Sequence, residues 1–378
     1  MIQGHGDDLY RYGNRVEINF STNIFNHFDH SPLFDFLARK LHLITSYPEP
    51  EPTTLEQAIA RQNGVSPDSI MVTNGATEAI YLMAQCFADR VSFIVQPTFA
   101  EYADACRMHG NTPPTDITTP TAADTFGSNT ALWLCNPNNP TGNVVPHNEL
   151  LDTIARNPHT LFIIDQSYAR YTLKPTLTPS EAAEADNVLL LNSMTKDYGI
   201  PGLRLGYVTA SEKLIAMLRR YRMPWAVNSL AISAGLFLIN HRSLYTINTE
   251  ALCQECVRVS TLIQKLGIAT CPSDSNMLLC RLPEHTAAEL KEFLVDHYGI
   301  LIRDASNFHT LSPQHFRIAV QTTAENDTLI KALTEWTKQY LSSTTASCRQ
   351  ACSRDGSSTS SSATHSTCRT PSYTWADG

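Results

Sequence analysis

The chain has 378 residues, of which 42% are hydrophobic and 17% are charged, and its formal net charge is −8. This composition is that of a globular protein long enough for two domains, each with its own core. The absence of clustered positive charge argues against nucleic acid or an anionic membrane surface as a partner. The N-terminus lacks the basic and apolar regions of a signal peptide, and no apolar run is long enough to span a bilayer. We therefore expect a cytoplasmic protein.

Ten cysteines are scattered along the chain. Cys253 and Cys256 form a single C-x-x-C pair, without the second pair or the histidine pair that a zinc site needs. We therefore expect no metal site, and we interpret most of the thiols as small buried hydrophobic side chains.

Six short apolar runs predict buried strands of a mostly parallel sheet, because each run ends in a polar or glycine-containing turn. The runs are 70–73, 92–95, 131–135, 161–164, 188–191 and 205–208. Helical stretches, such as 77–87 and 211–220, lie between most of them. The alternation predicts an α/β domain with helices on both faces of the sheet. Ligands of such sheets bind where the strands end, so the residues after each run form the candidate site.

The C-terminal third of the chain predicts a smaller α+β domain, in which helices and short strands follow a different order. The predicted elements are a long helix at 247–266, strands near 276–281 and 316–320, and a helix at 287–298.

The predicted domain organisation has four parts. The large domain covers 41–245 and the small domain covers 246–341. The N-terminal segment 1–40 is expected to join the small domain. From 342 to 378 the composition changes to serine and threonine. Such a segment cannot bury enough apolar surface to offset the entropy of ordering it. We expect a disordered tail there, or the product of a shifted reading frame.

Two strand ends carry small or rigid motifs. N-G-A-T-E at 74–78 opens an apolar helix, and the free N–H groups of a helix N-terminus suit a phosphate. The alternative is a simple cap formed by Asn74 or Thr77. N-P-N-N-P-T-G at 136–142 follows the third run, and its prolines and glycine predict a rigid turn that projects amide side chains.

Two further strand ends carry charged residues. Asp165 follows the run 161–164, where a buried carboxylate is costly unless it meets a positive partner such as a protonated pyridine nitrogen. Tyr168 could reach the same ring, and the alternative role for Asp165 is to cap the next helix. Lys196 lies in a segment bounded by glycine and proline, and it is flanked by Ser193 and Arg204, both natural ligands of phosphate.

In their order and spacing over residues 1–340, these motifs resemble those of fold-type-I pyridoxal-phosphate enzymes of aminotransferase class I/II. The resemblance implies the α/β fold of that type and the cofactor pyridoxal 5′-phosphate, held as a Schiff base by Lys196. Arg317, in F-R-I-A-V, resembles the arginine that binds the substrate α-carboxylate. The other implied contacts are Asp165 with the pyridine nitrogen, Asn139 and Tyr168 with the 3′ oxygen, Phe99 with the ring face, and Ala76, Thr77, Ser193 and Arg204 with the phosphate.

S-Y-P-E-P at 46–50 resembles the branch that contains histidinol-phosphate aminotransferase and L-threonine-O-3-phosphate decarboxylase. In that branch the tyrosine, here Tyr47, reaches the cofactor phosphate of the neighbouring subunit, which implies a homodimer with a shared active site. G-H-G at 4–6 and I-R-D-A-S-N-F at 302–308 are similar to decarboxylase segments, which implies that His5 and Arg303 bind a second anionic group of the substrate. Asp7 and Asp8 depart from this pattern, since two acids would repel a phosphate.

The resulting hypothesis is a pyridoxal-phosphate enzyme that decarboxylates or transaminates a phosphorylated L-amino acid, in amino-acid metabolism or cobalamin biosynthesis. An aminotransferase for unphosphorylated amino acids with 2-oxoglutarate, and a cofactor-binding protein without turnover, are the alternatives. For Arg303, an ion pair with Asp304 or another acid is the alternative to phosphate binding, with His5 merely exposed. The torsion that places one Cα bond perpendicular to the cofactor ring decides between decarboxylation and transamination.

Overall fold

The computed structural model describes residues 7–110, 112–121 and 123–341. His5 and the tail 342–378 lie outside these residues, so the contact predicted for His5 and the disorder predicted for the tail stay predictions. The chain divides into two compact units, the first ending at Trp336 and the second beginning at Thr337. In the second unit, the described residues form one π-helical turn, Thr337–Leu341. The predicted boundary between residues 245 and 246 stays a prediction.

The strands of the described residues are short and numbered here in chain order. They are β1 (Ile18–Asn19), β2 (Ile70–Thr73), β3 (Val91–Val95), β4 (Thr115–Ile117), β5 (Thr130–Cys135), β6 (Leu161–Asp165), β7 (Val188–Asn192), β8 (Gly206–Thr209), β9 (Ala269–Thr270), β10 (Met277–Arg281), β11 (Ile300–Leu301), β12 (Arg303–Asp304) and β13 (His315–Ala319).

The α-helices of the described residues alternate with these strands. They are α1 (Leu9–Tyr12), α2 (Ser31–Ala38), α3 (Thr53–Asn63), α4 (Gly75–Cys86), α5 (Glu101–His109), α6 (His147–Arg156), α7 (Pro179–Glu184), α8 (Met194–Tyr198), α9 (Glu212–Arg219), α10 (Ser229–Asn240), α11 (Thr249–Lys265), α12 (Ala287–Tyr298) and α13 (Thr323–Trp336). None of them combines the length and the apolar composition needed to cross a bilayer.

The large sheet has the strand order β2-β8-β7-β6-β5-β3-β4. Its central strands β5 and β6 are buried along their whole length, which explains why they are uniformly apolar rather than alternating. Leu134, Phe162 and Leu190 pack with Leu150 and Ile154 of α6 on one side of the sheet. The α/β fold class and five of the six predicted strands are confirmed, each strand to within one residue. The edge strand β4 was not predicted, because its three residues are too polar to form an apolar run.

Strand β8 corrects the prediction of a parallel strand at 205–208, because it runs antiparallel to both β2 and β7. The reason is the connection that precedes it. Helix α8 has five residues, about 7.5 Å of rise, whereas the five residues of β7 extend about 16 Å. Because α8 is too short to return the chain to the start of β7, β8 begins beside the C-terminal end of β7 and runs in the opposite direction.

The small sheet has the order β12-β13-β10-β9 and is antiparallel where its strands pair. Strand β1 pairs in parallel with β11, so a piece of the N-terminal segment lies beside the C-terminal elements. The predicted helices near 247–266 and 287–298 are confirmed as α11 and α12. Helix α12 begins with a capping box, in which Thr286 and Glu289 satisfy each other's backbone N–H groups.

Candidate active site

A cavity of about 260 Å³ lies where β5, β6 and β7 end. Its wall contains nearly all the residues predicted for the site, namely Ala76, Thr77, Phe99, Asn139, Asp165, Tyr168, Ser193, Lys196, Arg204, Arg303 and Arg317. The carboxyl ends of parallel strands share one edge of a sheet, and this edge gathers side chains from distant parts of the sequence.

Lys196 lies in α8, which follows Ser193 and ends at Gly199 in a left-handed conformation with φ of 64°. Withdrawal from water lowers the pKa of Lys196 to about 8, and the neighbouring Arg317 acts in the same direction. The amine donates a hydrogen bond to Oδ1 of Asn23 at 2.5 Å. A pKa near 8 gives an amine that can take up or release a proton near neutral pH.

Asp165 ends strand β6 and is buried. One carboxylate oxygen accepts a hydrogen bond from the hydroxyl of Tyr102 at 2.7 Å, and the other accepts from the N–H of Ser167 at 2.8 Å. Burial raises the pKa of Asp165, while these hydrogen bonds and Lys196 oppose the rise. The next element is a short 3-10 turn, Ala169–Tyr171, so Asp165 does not cap an α-helix. The carboxylate is a suitable partner for a cation in the cavity, such as a protonated pyridine nitrogen.

The start of α4 and Arg204 form a close-packed anion cradle. A Cβ at position 75, where φ is +80°, would lie 2.6 Å from Nη2 of Arg204, so only glycine allows this approach. The hydroxyl of Thr195 is buried in the cavity wall without a hydrogen-bond partner. Asn74 precedes the helix but makes no capping hydrogen bond with its side chain, and Thr77 lies inside the helix. The free N–H groups, the guanidinium and the hydroxyl fit a phosphate better than a simple helix cap.

Arg317, on β13, is buried and lines the same cavity. Its Nη1 donates to Oδ1 of Asn139 at 2.6 Å, and its Nη2 donates to the carbonyl of Ser21. Its Nε is buried and has no hydrogen-bond partner. Withdrawal from water lowers the pKa of Arg317 to about 10, so a bound carboxylate would stabilise its charge.

Arg303, on β12, pairs directly with Arg317 in the antiparallel register of the two strands. Both side chains are buried. Nη2 of Arg303 donates to Oδ1 of Asn307 at 2.7 Å, and the guanidinium lies 5.4 Å from the ring centre of Phe308. The carboxylate of Asp304 accepts the N–H of Ser306 at 2.9 Å. Two arginines therefore lie directly opposite each other at the cavity wall, and the acids Asp304 and Asp8 raise the pKa of Arg303 against the effect of burial.

The two acids near the N-terminus have different surroundings. Asp8 forms a buried ion pair with Lys291 of α12, at 2.5 Å, and is not among the residues that line the cavity. Asp7 does line the cavity, and its carboxylate accepts a hydrogen bond from Asn19 at 2.7 Å. Of the two acids expected to repel a phosphate, only Asp7 therefore lines the cavity.

Tyr47 is the described site residue that the structure does not bring into this cavity. Its side chain is 85% exposed and lies against the ring of Trp225, with the ring centres 5.4 Å apart.

Tyr102, Thr195 and Asn23 are among the cavity residues to which the sequence analysis gave no role. Tyr102 stood in the motif P-T-F-A-E-Y beside Phe99, and its spacing of three residues from Phe99 on a helix start was an available signal. Thr195 precedes Lys196 and gave no separate signal. Asn23 lies in an N-terminal loop, 173 residues from Lys196, and no local pattern marked it.

The fold and the site together are those of an enzyme for a cofactor that carries a phosphate group and a protonated ring nitrogen. Such a cofactor would lie beside the buried lysine. The sequence model of the aminotransferase class I and II family matches residues 15–333. The chain therefore belongs to the aminotransferase class I and II family. It is an enzyme whose cofactor is pyridoxal 5′-phosphate, and the predicted family and cofactor are confirmed.

Individual relatives point to two activities. Threonine-phosphate decarboxylase from Salmonella typhimurium is 32% identical over 311 residues, which cover 79% of this chain and 85% of that protein. Histidinol-phosphate aminotransferase from Pyrococcus furiosus is 28% identical over 301 residues, 78% of this chain and 84% of that protein. The crystal structure of L-threonine-O-3-phosphate decarboxylase from Porphyromonas gingivalis has a TM-score of 0.80 at 38% identity, and the match covers 85% of this chain and 100% of that one.

Proposed function

We propose that the enzyme decarboxylates a phosphorylated L-amino acid, with O-phosphothreonine as the substrate. The observation that carries the proposal is the direct cross-strand pairing of Arg303 and Arg317, both buried, in the cavity wall. Like charges directly opposite each other on a sheet destabilise it. A ligand with two anionic groups removes this cost, and an amino acid that carries both an α-carboxylate and a phosphate has them. The names of the relatives in Salmonella typhimurium and Porphyromonas gingivalis support the same choice.

In this proposal the cofactor is held by the residues predicted from the sequence. Lys196 forms the covalent attachment, Asp165 keeps the pyridine nitrogen protonated, and Arg204 with the start of α4 holds the phosphate. The other contacts are those of Asn139 and Tyr168 with the 3′ oxygen, of Phe99 with the ring face, and of Ala76, Thr77 and Ser193 with the phosphate. When bound, pyridoxal phosphate withdraws electrons from the substrate Cα.

The chain's own groups then determine what happens at Cα. Arg317 holds the α-carboxylate by a planar, two-point contact, and Arg303 holds the phosphate. In decarboxylation the bond between Cα and the carboxylate breaks, CO₂ leaves, and Lys196 delivers a proton to Cα in its place. In transamination Lys196 instead removes the Cα proton. The orientation that Arg317 imposes on the carboxylate selects between the two.

Transamination of histidinol phosphate with 2-oxoglutarate is the second candidate, because relatives with that name cover a similar share of the chain. Histidinol phosphate carries one anionic group, so it can supply an anion to only one of the two arginines. The second substrate of that reaction, 2-oxoglutarate, has two carboxylates and fits both. The arginine pair therefore favours decarboxylation, and transamination is the alternative activity.

We further propose a homodimer in which Tyr47 reaches the phosphate site of the neighbouring subunit. The support is that Tyr47 is 85% exposed and forms an aromatic surface with Trp225, whose side chain is 48% exposed. An exposed aromatic surface of this kind suits a protein–protein contact. A cytoplasmic location stays a prediction.

The deciding experiment incubates the purified, cofactor-loaded protein with O-phosphothreonine alone, and in parallel with histidinol phosphate plus 2-oxoglutarate. We expect CO₂ from the first mixture and no glutamate from the second. Threonine in place of O-phosphothreonine is the matched control, and it should react poorly. Glutamate formation without CO₂ would replace the decarboxylase by the aminotransferase, and equal turnover of threonine would remove the phosphate from the proposal.

A further inference from the structure

A loop of five residues, 20–24, enters the cavity from the side of the small sheet. The carbonyl of Phe20 accepts a hydrogen bond from the N–H of Ala319, the last residue of β13, at 3.1 Å. The N–H of Ser21 donates to Oδ1 of Asn19 at 2.9 Å, which forms a tight local turn. The loop is thereby fixed to the strand that carries Arg317.

Within this loop, Asn23 contacts two residues that follow strands of the large sheet, Lys196 after β7 and Tyr168 after β6. Its Oδ1 accepts a hydrogen bond from Nζ of Lys196, and its Nδ2 donates to the hydroxyl oxygen of Tyr168, both at 2.5 Å. A side-chain amide carries both an acceptor and a donor, so it can serve an amine and a phenol oxygen at once. Alanine can serve neither group, and an aspartate can accept from the amine but cannot donate when ionised.

The same loop also contacts the arginine proposed to bind the carboxylate. The carbonyl of Ser21 accepts a hydrogen bond from Nη2 of Arg317. Two residues further on, Asn23 contacts Lys196. The loop therefore connects the guanidinium of Arg317 to the amine of Lys196 through hydrogen bonds at Ser21 and Asn23.

We propose that Asn23 is a positioning residue for Lys196. The expected effect of Asn23 on turnover rests on the proposed function, whereas its contact with Lys196 does not. Asn23 holds the amine of Lys196 beside Tyr168 and favours its protonated form, since a hydrogen bond to a charged group stabilises the charge. The role predicts an effect on proton transfer rather than on substrate affinity.

The first test needs no substrate and uses the cofactor-loaded protein. The visible absorbance is titrated with pH in the unchanged protein and in the variants Asn23→Ala and Asn23→Asp. The alanine variant loses an acceptor, so the titration midpoint should fall by about one pH unit. The aspartate variant adds a negative charge beside the nitrogen of Lys196, so the midpoint should rise by about 1 to 3 pH units.

The matched control is Asn26→Asp, because Asn26 is an exposed asparagine two residues beyond the end of this loop. It should leave the midpoint unchanged. Shifts of opposite sign for Asn23→Ala and Asn23→Asp support the role, because a loss of packing would not reverse with the charge. A midpoint that responds to neither substitution at position 23, or that moves equally with Asn26→Asp, would overturn it. Asn23→Asp preserves the size of the side chain and keeps the test valid if the alanine variant does not fold.

The second test measures kcat and KM with O-phosphothreonine. Asn23→Ala should lower kcat by about 10- to 100-fold, within the contribution typical of positioned acid–base groups, and should change KM by less than about threefold. A rise in KM with unchanged kcat would overturn the positioning role. If the unchanged protein does not turn over O-phosphothreonine, the proposed substrate is wrong, whereas the absorbance titration still decides the role of Asn23 toward Lys196.

Discussion

Replacing Arg303 by methionine should weaken phosphate recognition with little change in the stability of the protein. Methionine keeps much of the length of the side chain but removes the charge. Arg303 stands directly opposite Arg317, and both are buried. Burial lowers the pKa of Arg303, while the neighbouring acids Asp304 and Asp8 oppose the fall.

The magnitude follows from this geometry. Removing the charge relieves the cost of burying it opposite Arg317, a cost that the neighbouring acids Asp304 and Asp8 already reduce. The substitution also removes the hydrogen bond to Asn307 and the contact with the ring of Phe308, together worth about 2 kcal/mol. Because these contributions oppose each other, the free energy of unfolding should change by no more than about 2 kcal/mol. A lost charge-assisted hydrogen bond to phosphate costs about 1.5 to 3 kcal/mol, so KM should rise about 10- to 150-fold.

Two measurements check this prediction. Steady-state CO₂ release from O-phosphothreonine and from threonine yields KM for both, and thermal unfolding yields the stability. Arg281→Met is the matched control, because Arg281 ends the adjoining part of the small sheet on β10 and is exposed. An equal rise in KM for both substrates, or a melting temperature several degrees below that of the unchanged protein, would refute the reasoning.

The remaining predictions concern the cofactor and the subunit interface. Lys196→Ala should abolish the visible absorbance of the bound cofactor and lower turnover by many orders of magnitude; turnover near the wild-type rate would exclude Lys196 as the attachment point. Reloading of cofactor-free protein should accelerate as pH rises through about 8, because the pKa of Lys196 is lowered to about 8 and only the neutral amine is nucleophilic. Stopped-flow absorbance with a midpoint near 10.5, the ordinary value, would contradict this. Asp165→Asn should retain the cofactor but lower kcat by about 100-fold, since an amide cannot balance a pyridinium charge; near-normal kcat would assign Asp165 a purely structural role. Mixing inactive Lys196→Ala protein with an inactive Tyr47 variant should restore part of the activity through mixed dimers, and a fully active monomer by light scattering would end the shared-site hypothesis.

The sequence by itself determined five of the seven strands of the large sheet and the residues at their ends. A strand buried on both faces must be apolar along its length, so β5, β6 and β7 were visible as runs without any partner. The polar residue that follows such a run is placed by the strand itself. For this reason Asp165 and Lys196 could be assigned to one edge of one sheet before the structure was known.

Tertiary structure alone decided which distant groups touch. The antiparallel direction of β8, the opposition of Arg303 and Arg317, and the contact of Asn23 with Lys196 have no local signal. Strand direction here depends on the length of α8 relative to β7, and the arginine pair depends on the register of two strands. Asn23 reaches Lys196 across 173 residues because the N-terminal loop is hydrogen-bonded to β13, a contact that is set by packing rather than by neighbouring residues. The role of a polar group whose partner is this far away in the chain can be recognised only in the folded structure, where the two groups lie within hydrogen-bonding distance.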